Sequence, residues 1–563
     1  MKLPSEKERG GADLQEKIQK VLEQCMGSME ERKRYYRTLH NYYLEGHDGT
    51  SDPAGVINKI FNHIDQVSSF MYSSDTTRFS IELSKSVSDQ ELAKTPPLND
   101  EINDVWHSSN TDIVYGMALD WAYVYGTSII KPRWNVDHIE PFLVEPHNFG
   151  VYREDVQGLS RQEAFVHCYM IPLSQLRMEL TVAQLKEKDI DKLIADATVQ
   201  NMEMDDMSTG PVDQIITSAV NPEIIGEVQL NLTPLINYIP KTLQEMARMY
   251  ELYVFDDDLN DYRVFTICHP WIIVFDRPMK SMFLEGEYPF VQVCPLPLPN
   301  YFWGVSAVER LVPLQIMRNR RWQQIQHLLD LQASPPKWAS GFPGDADEMA
   351  DTLDSAAGLV TSSEPGQGKI ESIAPEMPED LFSVMDRIDA MFDDVMGVNN
   401  IMAGRGEEGV RSEGHASQLL RVGASRTKRR AMIVEDSLEE LASLYLEILK
   451  KYSAKKYRAD DGLEFTAAQF TEDCIVKVDA HSNSPVFVQD QNQVAFALFK
   501  AKAIDRATLI EMLNVPMKDL LKQRLKTKIE PAEQQQRQEE MQAAKESGKP
   551  AAILKAAGGG RGK

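Results

Sequence analysis

Leu14, Ile18, Val21, Leu22, Cys25 and Met29 recur every three or four positions, the spacing that lines one face of an α-helix. This predicts a helix from Asp13 to about Gly46. VINKIFNHIDQVSSFMYSS (56–74) carries a second apolar stripe, and SIELSKS alternates like a short strand. NDVWHSSNTDIVYGMALDWAYVY (103–125) predicts one helix ending at Gly126, a residue suited to closing a helix in the left-handed region, and TSIIKPRW follows as strand. FLVEPHNFGVY and AFVHCYMI alternate and extend a small β region. Residues 175–205 read as polar helix, and Met202–Pro211 as a solvated loop. In MYELYVFDDDLNDYRVFTICHPWIIVFD two β-rich runs flank DDDLND. That insert lacks the spaced ligands and closing glutamate of a calcium loop and reads as a hairpin turn.

The second half is mainly helical. Helices are predicted over 378–398, over 415–452 as one very long element, and in VQDQNQVAFALFKAKAI and RATLIEMLNV; IMAGRGEEGVRSEG (401–414) interrupts them. The last polar stretch predicts helix and then disorder. The fold class is therefore mixed α and β, mainly α, with no repeat.

The stretch GVSAVERLVPLQIMRNRRWQQIQHLLDLQASPPKW (304–338) is the least ordinary helix. Ser306 and Glu309 have the S-x-x-E spacing of a capping box. At about 100° per residue, Val308, Leu311, Trp322, Ile325 and Leu329 share one arc, with Arg318 in its middle. Leu314, Leu328, Val312 and Ile316 widen the apolar surface on both flanks, so the helix needs neighbours on several sides. Pro313 is expected to kink or split it, and Pro335-Pro336 to stop it. Arg318, Arg320, Arg321 and Trp322 are candidates for contacts between subunits or with a lumen.

Length and charge sharpen this. At 563 residues the chain exceeds what one core organises. A formal charge of −25 argues against a protein that wraps nucleic acid over a wide surface. No apolar run approaches the roughly 20 residues of a membrane span, and the first residues lack a secretory pattern; a soluble, cytosolic setting is expected. Five scattered cysteines without a CxxC are expected to be reduced, mostly buried thiols.

Several motifs do not hold. Gly404 to Gly409 matches G-x-G-x-x-G, but a helix precedes it and Glu407 and Glu408 would face a pyrophosphate. Gly304-Val305-Ser306 lacks the second glycine of a nucleophile elbow, and Ser425-Arg426-Thr427-Lys428 lacks the companions of an S-x-x-K enzyme. His167-Cys168 and Cys268-His269 point to opposite strand faces. No Walker A is present. Asp386, Asp389, Asp393 and Asp394 share one helical side, which opens a metal-dependent nucleic-acid enzyme as a reading, but no basic groove accompanies them. No catalytic residue, metal site or cofactor is therefore assigned. What remains is a local positive excess: Arg405, Arg411, Arg421, Arg426, Lys428, Arg429 and Arg430 against Glu407, Glu408 and Glu413.

ALDWAYVYGTSIIKPRW, VEPHNFGVY, PNYFWGVSAVERLVPLQIMRNRRW and GVNNIMAGRGEEGVRSEGHASQLL, in that order, give the chain a resemblance to the portal proteins of tailed bacteriophages. The early helix ending in YYLEG and HSNSPVFVQDQNQVAFALFKAKAIDRATLIEMLNVP add to it. The resemblance implies a portal fold with wing, stem, clip and crown, assembling as a ring around an axial channel. It implies an N-terminal and wing region over 1–230, a clip with its flanking stem segment over 231–302, a stem helix over 303–340, a wing return, tunnel loop (about 399–415) and long helix over 341–455, and a crown and tail over 456–563. Arg405, Gly406, Glu407, Glu408 and Arg411 would form the tunnel loop, and Arg421, Arg426, Lys428, Arg429 and Arg430 the basic start of the next helix.

The implied role is non-enzymatic: a dodecameric ring at one capsid vertex of the virion, at the head-tail junction, assembled in the host cytoplasm. Double-stranded DNA would pass through it during genome packaging and ejection. Implied partners are other copies of the chain, the terminase large subunit, a head-tail adaptor, the major capsid protein and a scaffold, with no membrane. A scaffold or an internal ejection protein is the alternative structural reading, disfavoured by the β-rich 250–297.

Overall fold

The computed structural model describes residues 12–48, 56–73, 77–83, 89–135, 137–182, 187–195, 246–268, 272–279, 289–333, 337–340, 369–372, 380–397, 425–459, 462–470, 474–478 and 495–501, with a few isolated positions. The chain divides into two compact units, one of Met1–Met71 and Phe79–Lys477, the other of Tyr72–Arg78 and Val478–Lys563. In the second, residues 495–500 are helical, and the Ser73 carbonyl accepts from the Thr77 N–H and hydroxyl at 3.2 and 2.7 Å. Everything below concerns the first unit.

Helix α1 (Ala12–Glu45) and helix α2 (Ile60–Met71) fall where the apolar stripes place them. After β1 (Phe79–Leu83) and a single turn, α3 (Asp89–Leu92), the helix expected over 103–125 is two: α4 (Thr95–Ser108) and α5 (Thr111–Tyr125). The break lies at Asn110, which takes φ 53, a left-handed conformation asparagine tolerates better than most residues. Apolar periodicity runs across such a break and conceals it. Gly126 closes α5 at φ 89, as expected.

Strands β2 (Ser128–Asn135), β3 (His138–Val144), β4 (Phe149–Val151) and β5 (Ala164–Pro172) follow, then helix α6 (Leu173–Val182). Strands β6 (Met246–Asp256) and β7 (Asp261–Cys268) form the expected hairpin, with Asn260 at φ 50 in its turn. Strand β8 (Ile272–Pro278) extends it, and β9 (Val291–Val293) pairs with β2. The result is an antiparallel five-stranded sheet in order β4-β5-β6-β7-β8 and a three-stranded sheet β3-β2-β9. The larger sheet thus draws strands from both sides of residue 230.

Period-two alternation explains how the larger sheet is covered. Ala164, Val166 and Cys168 of β5 face Leu14, Ile18, Val21, Leu22, Cys25 and Met29 of α1, together with Leu252 and Phe265. Phe165 between them faces the other way, into a second core with Ile129, Phe149, Tyr253, Phe290, Phe302 and Trp303. Both faces are covered, so β7 is buried along its whole length and reads as continuous apolar sequence. Helix α6 and residues 187–195 cap a third cluster with Ile171, Met249 and Cys268. Cys25, Cys168 and Cys268 are buried free thiols, as expected, while Cys294 and Cys474 are half-buried.

Helix α7 (Ala307–Ala333) runs through Pro313 as one element. Of the kink or split expected there, the split does not occur: Leu311, Gln315 and Arg318 are buried on either side of the proline and hold both halves in place. Strands β10 (Lys337–Ser340) and β11 (Lys369–Ser372) pair, followed by α8 (Leu381–Met396), α9 (Ser425–Tyr452), the β12 (Lys456–Arg458) and β13 (Glu464–Thr466) hairpin, and β14 (Cys474–Val478) beside β1. Among the described residues no helix is long and apolar enough to cross a membrane.

Candidate functional site

Helix α7 starts at a junction of two backbones. A side chain on Gly126 would collide with the Gly304 carbonyl, and one on Gly304 with the Gly126 carbonyl and Cys294 Sγ. Only glycine lets these two turns lie against each other. Gly304 N–H donates to Thr127 Oγ1 at 2.9 Å, and Ser306 Oγ donates to the Val124 carbonyl. The end of α5 and the start of α7 are thereby locked together.

Half of the expected capping box forms. Glu309 N–H donates to Ser306 Oγ at 3.3 Å, but the Glu309 carboxylate accepts from Tyr35 Oη on α1 at 2.8 Å. Arg32, one turn earlier on α1, donates to Tyr36 and Tyr301 hydroxyls at 3.1 and 2.9 Å and lies 4.4 Å from the Trp303 ring centroid. Ser28 and the Trp303 indole both donate to Glu154. The helix start is thus anchored to α1 through side chains that periodicity does not relate. Ser306→Ala should lower unfolding free energy by about 1–2 kcal/mol, read from the denaturant midpoint; no change would show that the cap is idle.

Further along α7 the apolar arc divides. Val308, Leu311 and Ile325 are buried, Trp322 is half-buried, and Leu329 is 48% exposed. The same stripe is therefore covered by its own chain at one end of the helix and open at the other. Arg320 and Arg321 are exposed, with Arg321 donating to Gln324 at 2.7 Å. These remain candidates for contacts outside the subunit.

Arg318 has partners within its own chain. It is 5% exposed, pairs with Asp389 of α8 at 2.8 Å, and donates to the Ile57 carbonyl at 3.2 Å. Lys59 reaches the other Asp389 oxygen at 3.2 Å. Burial pushes the Asp389 carboxyl up, but Arg318 and Lys59 outweigh it and hold it below its ordinary value. One turn on, His63 spans the Lys59 carbonyl (Nδ1, 2.8 Å) and Asp393 Oδ1 (Nε2, 2.9 Å). Two of the four aspartates that suggested a metal site are therefore engaged by cations and a histidine, and they fasten α8 to α2 and α7. Among the described residues no group of three or more metal-type ligands forms.

The basic helix start also divides. Arg430 Nη1 donates to the Met396 carbonyl at 2.8 Å, at the C-terminal end of α8, where a cation is favoured by the exposed carbonyls. Arg429 is exposed and Lys428 half-buried, while only the helical backbone of Arg426 is described. Arg405, Gly406, Glu407, Glu408, Arg411 and Arg421 lie outside the described residues.

This arrangement is a scaffold with one partly uncovered long helix, tied at its start and at Arg318 near its middle. Residues 138–480 match the family described as phage SU10 portal protein. The chain belongs to that family. No curated protein matches. Two solved structures are similar: the neck of an empty gene transfer agent (GTA) particle computed with C6 symmetry, and the virion of a native GTA particle. Each has 10% identity and a TM-score of 0.40, with 85% of this chain and 93% of that chain covered. Family membership carries a portal role, a structural one. The helix that the match places in its centre is α7, and the junction Gly126–Gly304 that aims it straddles the start of the matched segment only through α5.

Proposed function

We propose that the chain assembles head to tail into a closed ring, of twelve subunits, at one vertex of a viral capsid, and that double-stranded DNA passes through its axis during packaging and ejection. The family match over 138–480 carries this reading. The ring stands at the head-tail junction and docks the terminase large subunit first and head-tail adaptors afterwards, with the major capsid protein and a scaffold around it. Within it, residues 1–230 and 341–455 supply the wing and tunnel loop, 231–302 the clip, 303–340 the stem helix, and 456–563 the crown and tail.

Uncovered apolar stripes support assembly between copies. On α8, Val384, Met391 and Val395 are exposed beside the buried Ile388 and Phe392, and on α7 Ile316, Met317 and Leu329 are exposed. Two different open faces on one chain suit a heterologous contact, which closes into a ring when its rotation allows. Class averages of the purified chain in negative stain should show a closed ring with twelvefold symmetry. A monodisperse monomer at high concentration would overturn the reading.

Twelve copies carry roughly −300 formal charges, so DNA slides past a wall that repels it on average. Arg405, Arg411, Arg421, Arg426, Lys428 and Arg429 then act as a few local phosphate contacts, and Arg430, held on Met396, as an internal tie. Neutralising Arg405, Arg411 and Arg429 together should change DNA retention in filled particles, scored as genome content after packaging. Unchanged packaging and retention would remove these residues from the DNA path.

A further inference from the structure

The two sheets face each other across an aromatic core, and one cluster of titratable groups lies at its margin, with His167 buried and Lys131 half-buried. Lys131 on β2, from the three-stranded sheet, forms an ion pair with Glu251 on β6, from the five-stranded sheet. His167 on β5 is the cross-strand register partner of Glu251. It is 4% exposed, its Nδ1 lies 3.6 Å from Glu251 Oε2, and that nitrogen has no hydrogen-bond partner. At 3.6 Å the contact is too long to be a hydrogen bond.

The surroundings of the ring are otherwise apolar or neutral. Phe142 of β3 lies 6.2 Å away, Phe290 5.7 Å and Tyr169 5.5 Å, centroid to centroid. The titratable and charged groups facing it are Lys131, Glu251, Tyr169 and Tyr253. Burial, and then Glu251, push the Tyr253 hydroxyl well above its ordinary range, so it stays neutral. One carboxylate oxygen therefore has two basic claimants, and they belong to different sheets.

Their charges differ at neutral pH. Burial holds His167 below its ordinary 6.5, with Lys131 adding to that and Glu251 opposing it. Burial pushes Glu251 up, but Lys131 and His167 override it and bring it to about 2. Lys131 thus keeps the carboxylate, and the pair ties one sheet to the other.

We propose that His167 is an acid-operated switch on this joint: once protonated, it takes the Glu251 carboxylate as its cross-strand partner and releases Lys131. In the imidazolium both ring nitrogens carry hydrogen, so Nδ1 presents an N–H to Glu251 Oε2. The proton comes from solvent, no other bond changes, and Lys131 is left 5.1 Å from the Phe290 ring centroid. The tie between sheets becomes a tie within one sheet.

The sign follows from the lowered histidine. The opened or unfolded chain binds this proton more readily than the closed joint, so the joint is intact above pH 6.5 and weakens as pH falls through the lowered value. Glu251 adds its own loss only between its ordinary 4.5 and about 2. The window from 6.5 to 4.5 therefore separates His167 from Glu251, and His167→Gln separates it from His40, which burial and His147 also hold below 6.5.

Hydrogen exchange on the full chain, corrected for intrinsic rates, tests this across that window. Protection in β2 and β9 should fall about tenfold more than in β5, β6 and β7. His167→Gln should abolish the difference, and Lys131→Met should show the weakened state at every pH. Protection in β2 and β9 that is flat across the window, or falls equally in His167→Gln, overturns the proposal. If His167→Gln does not fold, the ring ¹⁵N signals of His167 in the unsubstituted chain decide: titration with the same midpoint as the protection loss supports the switch, and no such titration overturns it.

Discussion

Gly126→Ala is expected to destabilise the chain by about 4 kcal/mol. Two terms add. At φ 89 an alanine is strained by about 1–3 kcal/mol, and its Cβ would collide with the Gly304 carbonyl carbon and oxygen. Both obstacles are backbone, so no rotamer change relieves them. Gly304→Ala should cost about 3 kcal/mol by the reciprocal collision, and Cys294→Ala should recover part of that because Cys294 Sγ is one of its obstacles. Gly116→Ala in α5, where a Cβ meets nothing within 4 Å, is the control and should stabilise by about 0.5–1 kcal/mol. Equilibrium denaturation of the three variants gives the ranking; a Gly126→Ala chain as stable as the Gly116→Ala chain would show that the junction yields.

Gly126 also marks how far the sequence can be read. Its role at the end of α5 was legible, because a glycine after an apolar helix is a local signal. Its role against Gly304 was not, since the collision joins positions far apart in the chain. The same limit separates Ser306 from Glu309. The cap acts within four residues and was readable; the diversion of Glu309 to Tyr35 depends on α1 arriving beside α7.

Burial of charge shows the limit from the other side. Arg318 was recognisable as a cation in the middle of an apolar arc, so some partner had to be supplied. Asp389 and the Ile57 carbonyl supply it, from elements that no spacing rule connects to α7. Arg263 on β7 is the same case: 2% exposed, it pairs with Asp276 at 2.5 Å and approaches Asp256 at 3.8 Å, inside a run that reads as plain strand. The strands, the hairpin and the helices with clean periods were legible because both faces follow simple rules. The polar joints between them were not.

Asp389→Ala should lower unfolding free energy by about 3 kcal/mol, near the low end for breaking a buried pair because the carboxylate is one-third exposed. The cost comes from Arg318, which stays in its enclosed position with only the Ile57 carbonyl to satisfy it. Arg318→Met should cost less, since it removes the buried charge and leaves Asp389 with Lys59. Combining Arg318→Met with Asp389→Ala should then recover part of the loss, giving a coupling energy of about 1–3 kcal/mol. Acid tests the same joint: the carboxyl is held below its ordinary 3.8, so its contribution is full above that value and is lost as pH falls through the lowered one. If Arg318 instead served a neighbouring subunit or the lumen, the cycle on unassembled chain would show additivity, and only ring formation would suffer. Coupling measured in the unassembled chain would leave Arg310, Arg320 and Arg321, all exposed, as the arginines of this helix that face outward.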